Sequence, residues 1–179
     1  MPEFLLQCQG TIHTLSTPWI MGILNSTPDS FYAGSRLNAP QEAAERARTM
    51  LEGGARIIDI GGYSSRPGAD PVTPEQEWNR LKEVIPAVAG VLNDFPGSFI
   101  SVDTFRADIA DKALLAGAHW INDISGGNLD PEIFNVAATH RCPYIIMHMQ
   151  GDPSTMQLNP TYSHVTQDII TFFSEKLPR

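Results

Sequence analysis

Five times along this chain a short apolar run closes on a polar residue and gives way to a helix-forming stretch. The runs cover Trp19 to Leu24, Arg56 to Ile60, Phe99 to Val102, Trp120 to Ile124 and Tyr144 to Met147. They are nearly continuous in apolar residues rather than alternating, as strands covered on both faces are. Helical patterns between them make the strands parallel, so the expected class is α/β. Two junctions, Gly54-Ala55-Arg56-Ile57-Ile58-Asp59 and Gly117-Ala118-His119-Trp120-Ile121-Asn122, resemble each other. Reuse of one βα unit favours a (β/α)8 TIM-barrel wall over an open doubly wound sheet, although spacing alone does not decide between them.

Local signals fill in the rest. Residues 4–15 predict a small hairpin turning at Gln9-Gly10. A helix is expected near 40–52, with Pro40 in its first turn and Gly53-Gly54 as its stop. Thr73-Pro74-Glu75-Gln76 supplies an N-cap, a proline at the first helical position and a capping-box partner. From there Trp78, Leu81, Ile85, Val88 and Leu92 recur at helical spacing and mark one buried face. Further helices are expected over about 106–116, ended by Gly117, and from Asp130-Pro131, where the acid would cap the helix. A last helix over about 162–177 would set Val165, Ile169, Phe172 and Phe173 on one side.

Composition excludes some partners. The net charge is −8, which argues against a phosphate backbone or an anionic membrane surface. A small anionic substrate is still compatible, because a few local cations and backbone donors can hold it. No stretch approaches the ~18–20 apolar residues of a membrane span, and Met1 to Gly10 lacks the pattern of a signal peptide. Cys8 and Cys142 have no metal-like spacing and read as free thiols in a reducing, cytoplasmic compartment.

The residues that close the strands carry the chemical information. They are Asn25, Asp59, Asp103, Asn122 with Asp123, and His148. In a parallel α/β fold these ends converge on one face, where active sites are built. Any one of them could merely cap a helix. Five in succession make a set of carboxylates, amides and one imidazole suited to a polar heterocycle or a metal–phosphate group. Asp59 is open between capping and ligand contact. His148 has no His or Cys spaced to join it as a metal ligand, and the flanking Met147 and Met149 read as packing residues.

Several longer segments bear a specific resemblance to the dihydropteroate synthases. They are Met21-Gly22-Ile23-Leu24-Asn25-Ser26-Thr27-Pro28-Asp29-Ser30-Phe31 and Asp59-Ile60-Gly61-Gly62-Tyr63-Ser64-Ser65-Arg66-Pro67-Gly68-Ala69. Ile100-Ser101-Val102-Asp103-Thr104, Ile121-Asn122-Asp123-Ile124 and Met147-His148-Met149-Gln150-Gly151 follow in the same order. The resemblance implies condensation of a pterin diphosphate with 4-aminobenzoate on a barrel. It implies that Asn25 binds the Mg²⁺ accompanying the diphosphate, and that Asp103 and Asn122 hydrogen-bond the pterin. Asp59 would join them in the pterin pocket if it is not structural. Ser65, where the family usually has Thr, would line the diphosphate side. Thr27, Pro28, Asp29 and Phe31 on a first loop, with Arg66 and Pro67 on a second, would form the 4-aminobenzoate pocket. Asp29 and Arg66 are the catalytic candidates implied, Asp29 by stabilising a pterin cation or receiving the amine proton.

Two positions depart from the family, Tyr63 where Glu is common and Ser26 where Val is common. Length departs too: the chain has 179 residues, and an eight-stranded barrel takes ~250. One barrel domain over residues 1–179 is therefore expected, with its C-terminal strands missing and weak or no activity on its own. Small-molecule substrates are the expected partners, with no nucleic acid and no membrane, and a homodimer at full length. Two rivals stand beside this reading: a methyltransferase-like pterin-binding barrel, and a non-catalytic pterin-binding fragment. The Thr27–Phe31 and Ser65–Pro67 loops favour the synthase.

Overall fold

The computed structural model describes residues 3–26, 39–63 and 72–177. The N-terminal hairpin pairs β1 (Phe4–Cys8) with β2 (Thr11–Leu15) in antiparallel register. Its turn places Gln9 at φ 48° and Gly10 at φ 86°. Positive φ at both central residues is the geometry whose twist matches the flanking strands, and glycine adopts it at no steric cost.

A parallel sheet of five strands follows: β3 (Ile20–Asn25), β4 (Ala55–Gly61), β5 (Phe99–Asp103), β6 (Trp120–Asp123) and β7 (Tyr144–Ile146). Their spatial order is their chain order. A doubly wound sheet reverses direction at a switch point, whereas a barrel wall runs on in one direction. This order is therefore that of a barrel wall, as the repeated βα junction suggests. The helices are α1 (Ala39–Glu52), α2 (Pro74–Leu81), α3 (Val84–Leu92), α4 (Ala107–Leu115), α5 (Ile133–His140) and α6 (Val165–Lys176).

Side chains alternate across each strand, which divides the sheet into two faces. Leu24, Ile58, Ile60, Ile100, Val102 and Ile121 pack with Ala43, Ala47, Leu81, Ile85, Val88 and Ile109 of the helices. The opposite, inner face carries Met21, Ile57, Phe99, Trp120 and Ile145 near its N-terminal end, covered by Leu6, Cys8 and Trp19. Trp19 stacks on Phe99 with ring centroids 5.5 Å apart. Gln9 N–H donates to the Arg141 carbonyl at 2.9 Å and its side-chain amide to the Ala118 carbonyl at 3.3 Å. The hairpin thus plugs one end of the inner face, and the polar residues occupy the other end.

Three local expectations are corrected. The apolar stripe from Trp78 to Leu92 lies on two helices, because α2 ends at Leu81 and α3 starts at Val84. Pro86 explains the break: it lacks an N–H, and its ring would strike the carbonyl four residues back, so it belongs in a first turn. The helix expected from Asp130-Pro131 starts at Ile133 with no side-chain cap. Asp130 still caps the entry turn, where its Oδ1 accepts from Glu132 N at 3.3 Å, and its Oδ2 accepts from Ala107 N at 2.8 Å, so it also caps α4 from across the fold. The last helix starts at Val165, which is 51% exposed, so Val165 is off its packed side.

Candidate active site at the carboxyl ends of the strands

Alternation carries Asn25, Asp59, Gly61, Asp103 and Asn122 onto the inner face, on neighbouring strands. Parallel register sets Asn25 beside Gly61, Gly61 beside Asp103 and Asp103 beside Asn122. Gly61 is needed for its size here. A Cβ built on it would lie 3.3 Å from Asp103 Oδ2, so any side chain would press on that carboxylate.

Asp59 is buried and accepts a hydrogen bond from Asn122 Nδ2 at 3.0 Å. Its other oxygen, Oδ1, and the neighbouring Ser101 Oγ are both buried without an ordinary hydrogen bond. Buried polar atoms nearly always have partners; Ser101 stands beside Asp59 in register and acts as its side-chain partner at a looser geometry. Burial raises the Asp59 carboxyl above its ordinary value, against the opposing effect of Ser101 and Asn122. Asp103 is raised further, from an ordinary 3.8 to about 7, by burial first and then by the charges of Asp59, Glu77 and Asp123. The site thus pairs a buried amide with two carboxyls that hold their protons unusually well.

The other strand-end residues separate from this group. Asp123 lies on the opposite face from Asn122 and is fully buried. It accepts from Ser125 N and Gly127 N at 2.7 Å each, and from the Tyr144 hydroxyl. These bonds make it the clamp of its own loop; burial first, and then the bond to Asp123 and its charge, raise the Tyr144 hydroxyl well above its usual range. His148 packs its ring against Phe172 and Tyr162 at 4.9 and 5.7 Å. Among the described residues, no group of three or more His, Cys, Asp or Glu is placed to hold a metal ion. Thr27, Pro28, Asp29, Phe31, Ser65, Arg66 and Pro67 lie outside the described residues.

Four residues at this end of the sheet were not singled out by sequence: Ser101, Glu77, Thr104 and Arg106. Glu77 is 0% exposed and accepts a 2.7 Å bond from the Thr104 hydroxyl. It also forms an ion pair with Arg106. Position held the clue, because Glu77 precedes the buried Leu81 by four residues and so shares its face of α2. An acid in a first helical turn reads just as well as a dipole partner, which hid it. Ser26, one of the two departures, is also structural: its hydroxyl donates to the Arg80 carbonyl at 2.9 Å, and its N–H to the Gly61 carbonyl at 2.7 Å.

Known proteins resemble this chain along most of its length. The family described as Pterin binding enzyme matches residues 21–179. The dihydropteroate synthase of Synechocystis sp. is 47% identical over 159 residues, 89% of this chain and 54% of that protein. The structure of Xanthomonas albilineans dihydropteroate synthase with 4-aminobenzoic acid superposes with a TM-score of 0.82 at 35% identity, covering 98% of this chain and 60% of that one. Burkholderia cenocepacia dihydropteroate synthase complexed with 7,8-dihydropteroate gives 0.72 at 35% identity, covering 96% and 56%. The chain therefore spans a little over half the length of these relatives.

Proposed function

Because the chain belongs to the family of pterin-binding enzymes, we propose that it supplies the pterin-recognising part of a dihydropteroate synthase. The substrates are 6-hydroxymethyl-7,8-dihydropterin diphosphate and 4-aminobenzoate, and the products 7,8-dihydropteroate and diphosphate. The observation that carries this reading is the inner-face group of Asp59, Asp103 and Asn122, two raised carboxyls beside an amide that is bonded to Asp59.

A pterin presents an amino group and ring N–H groups side by side. Asp103 accepts from them, and the Asn122 amide, fixed by its bond to Asp59, can offer either polarity. Such charge-assisted bonds contribute roughly 1.5–3 kcal/mol each. In the reaction the methylene C–O bond breaks with its electron pair leaving on the diphosphate. The amine nitrogen of 4-aminobenzoate forms the new C–N bond and gives up a proton. Asp29 and Arg66 are the catalytic candidates beside that centre. Thr27, Pro28, Phe31 and Pro67 would hold the 4-aminobenzoate, and Ser65 the diphosphate side.

The chemistry of the donor set fits Mg²⁺. Asn25 ends β3 beside this group with a half-buried side-chain amide, and Mg²⁺ needs only one or two protein oxygens when phosphates and water supply the rest. When bound, the ion neutralises the departing diphosphate. We place the protein in the cytoplasm, as one barrel domain that pairs as a homodimer at full length. Among the described residues no helix is long and apolar enough to cross a membrane.

The test joins this chain to the segment by which the Synechocystis relative exceeds it and follows 4-aminobenzoate-dependent diphosphate release. Asp103→Asn should lower kcat/KM at least a hundredfold, and Asn122→Ala at least tenfold. Undiminished release by Asp103→Asn would refute the assignment.

A further inference from the structure

Asp59 and Asn122 meet across a strand that belongs to neither. They stand on β4 and β6, which flank β5 on its two sides. Asp59 is level with Ser101 of β5, and Asn122 is level with Asp103. The 3.0 Å bond from Asn122 Nδ2 to Asp59 Oδ2 therefore crosses β5 on a diagonal, between its two inward residues. Neighbouring strands lie about 4.8 Å apart, so the two backbones joined by this bond are roughly 10 Å apart. Two short side chains close that gap only by reaching toward each other over β5.

The bond fixes polarity as well as place. The oxygen and nitrogen of an amide have nearly the same shape, so an unrestrained asparagine presents either one. A carboxylate only accepts, so it takes the nitrogen and turns Oδ1 away. Burial raises the Asp59 carboxyl, and Ser101 and Asn122 oppose this by favouring its charged, accepting form. Asp59 is 5% exposed, which leaves a ligand little of it to touch. Asn122 is half-buried between buried neighbours on β6, so its free edge is the one a ligand can reach.

A 2-amino pterin carries an amino donor beside a ring-nitrogen acceptor. Its 2-oxo counterpart carries the reverse, an oxygen acceptor beside a ring N–H. An amide held in one orientation matches the first order and sets like against like in the second. We propose that Asp59 is a positioning residue that holds the Asn122 amide with Oδ1 toward the ligand, and so selects a 2-amino heterocycle over its 2-oxo counterpart. The selectivity rests on the synthase reading; the hold on the amide does not.

Two variants separate this role from simple filling of space. Asp59→Asn keeps the bulk and can bond Asn122 in either orientation. Asp59→Leu keeps the bulk and cannot bond it at all. On this chain, NMR follows the side-chain N–H groups of Asn122. In Asp59→Leu they should exchange with water about tenfold faster. Backbone amides inside β4 and β6 should keep their rates, which shows that the fold survives. On the protein joined to its relative's segment, calorimetry compares the pterin diphosphate with its 2-oxo counterpart. The parent should favour the 2-amino ligand by about a hundredfold, because the wrong edge leaves buried polar groups unpaired. Both variants should narrow that preference by about tenfold, and in Asp59→Asn the 2-oxo ligand should bind more tightly than it does to the parent. Equal weakening of both ligands, or an unchanged preference in folded variants, would overturn the proposal. So would unchanged exchange at the Asn122 amide. A well-folded parent that binds neither ligand would refute the synthase reading and leave the exchange result to judge the hold on Asn122.

Discussion

At the scale of single residues, Asp103 carries the largest electrostatic burden in the site. Its carboxyl is raised from 3.8 to about 7 by burial and by the neighbouring acids Asp59, Glu77 and Asp123. A raised acid binds its proton more tightly in the folded chain than in the unfolded one, so folding is favoured while the proton stays on. Stability therefore falls as pH rises from about 4 and reaches its floor once pH passes about 7. At ~1.4 kcal/mol per unit, the full interval costs roughly 4 kcal/mol. Asp103→Asn has no proton to lose, so without ligand it should melt higher than the parent at pH 8 and about equally at pH 4. Thermal unfolding at the two pH values checks this, and a parallel decline in both proteins would contradict it. A residue that is costly when empty is what a binding site accepts and a purely structural position does not.

At the scale of elements, the entry to α2 holds the exit of segment 64–71. Thr73 Oγ1 accepts from Gln76 N at 3.2 Å, and Gln76 Oε1 accepts from Thr73 N at 3.0 Å. This capping box was legible because its four residues lie together in the chain and its physics is local. Thr73→Ala should cost ~1 kcal/mol, read as a lower denaturation midpoint with an unchanged slope. A loss below about 0.3 kcal/mol would show that packing, not the cap, sets the start of the helix. The partner that Asp130 caps was not legible, because it lies on α4, 23 residues away. The split between α2 and α3 could have been read from Pro86, but the apolar stripe runs through the break without losing phase.

At the scale of the whole molecule, parallel strands in chain order place each strand's last inward residue on one rim. The apolar runs announce the strands, and the alternation within them says which residues share a face. Asn25, Asp59, Asp103 and Asn122 could therefore be placed together from sequence. Asp123 could have been set apart by the same rule, since it adjoins Asn122 and must face the other way. Spacing left the barrel undecided against the open sheet, because strand order is a property of long-range pairing. Glu77 and Arg106 stayed hidden for a related reason: their partners are remote in sequence, and an acid in a first helical turn reads just as well as a dipole partner. The long matched segments supplied the pterin, which no composition or spacing would have named.

The central claim is that Asp103 and its neighbours bind a pterin, and calorimetry tests it most directly. The pterin diphosphate with Mg²⁺ would be titrated at pH 7 into this chain joined to its relative's segment, in two buffers of different ionisation enthalpy. Donors on the pterin favour the ionised Asp103, whose carboxyl burial and the neighbouring acids raise to about 7. The account predicts saturable binding with net proton release, and loss of both in Asp103→Asn. Absence of binding by the well-folded protein, or equal binding by Asp103→Asn, would contradict it.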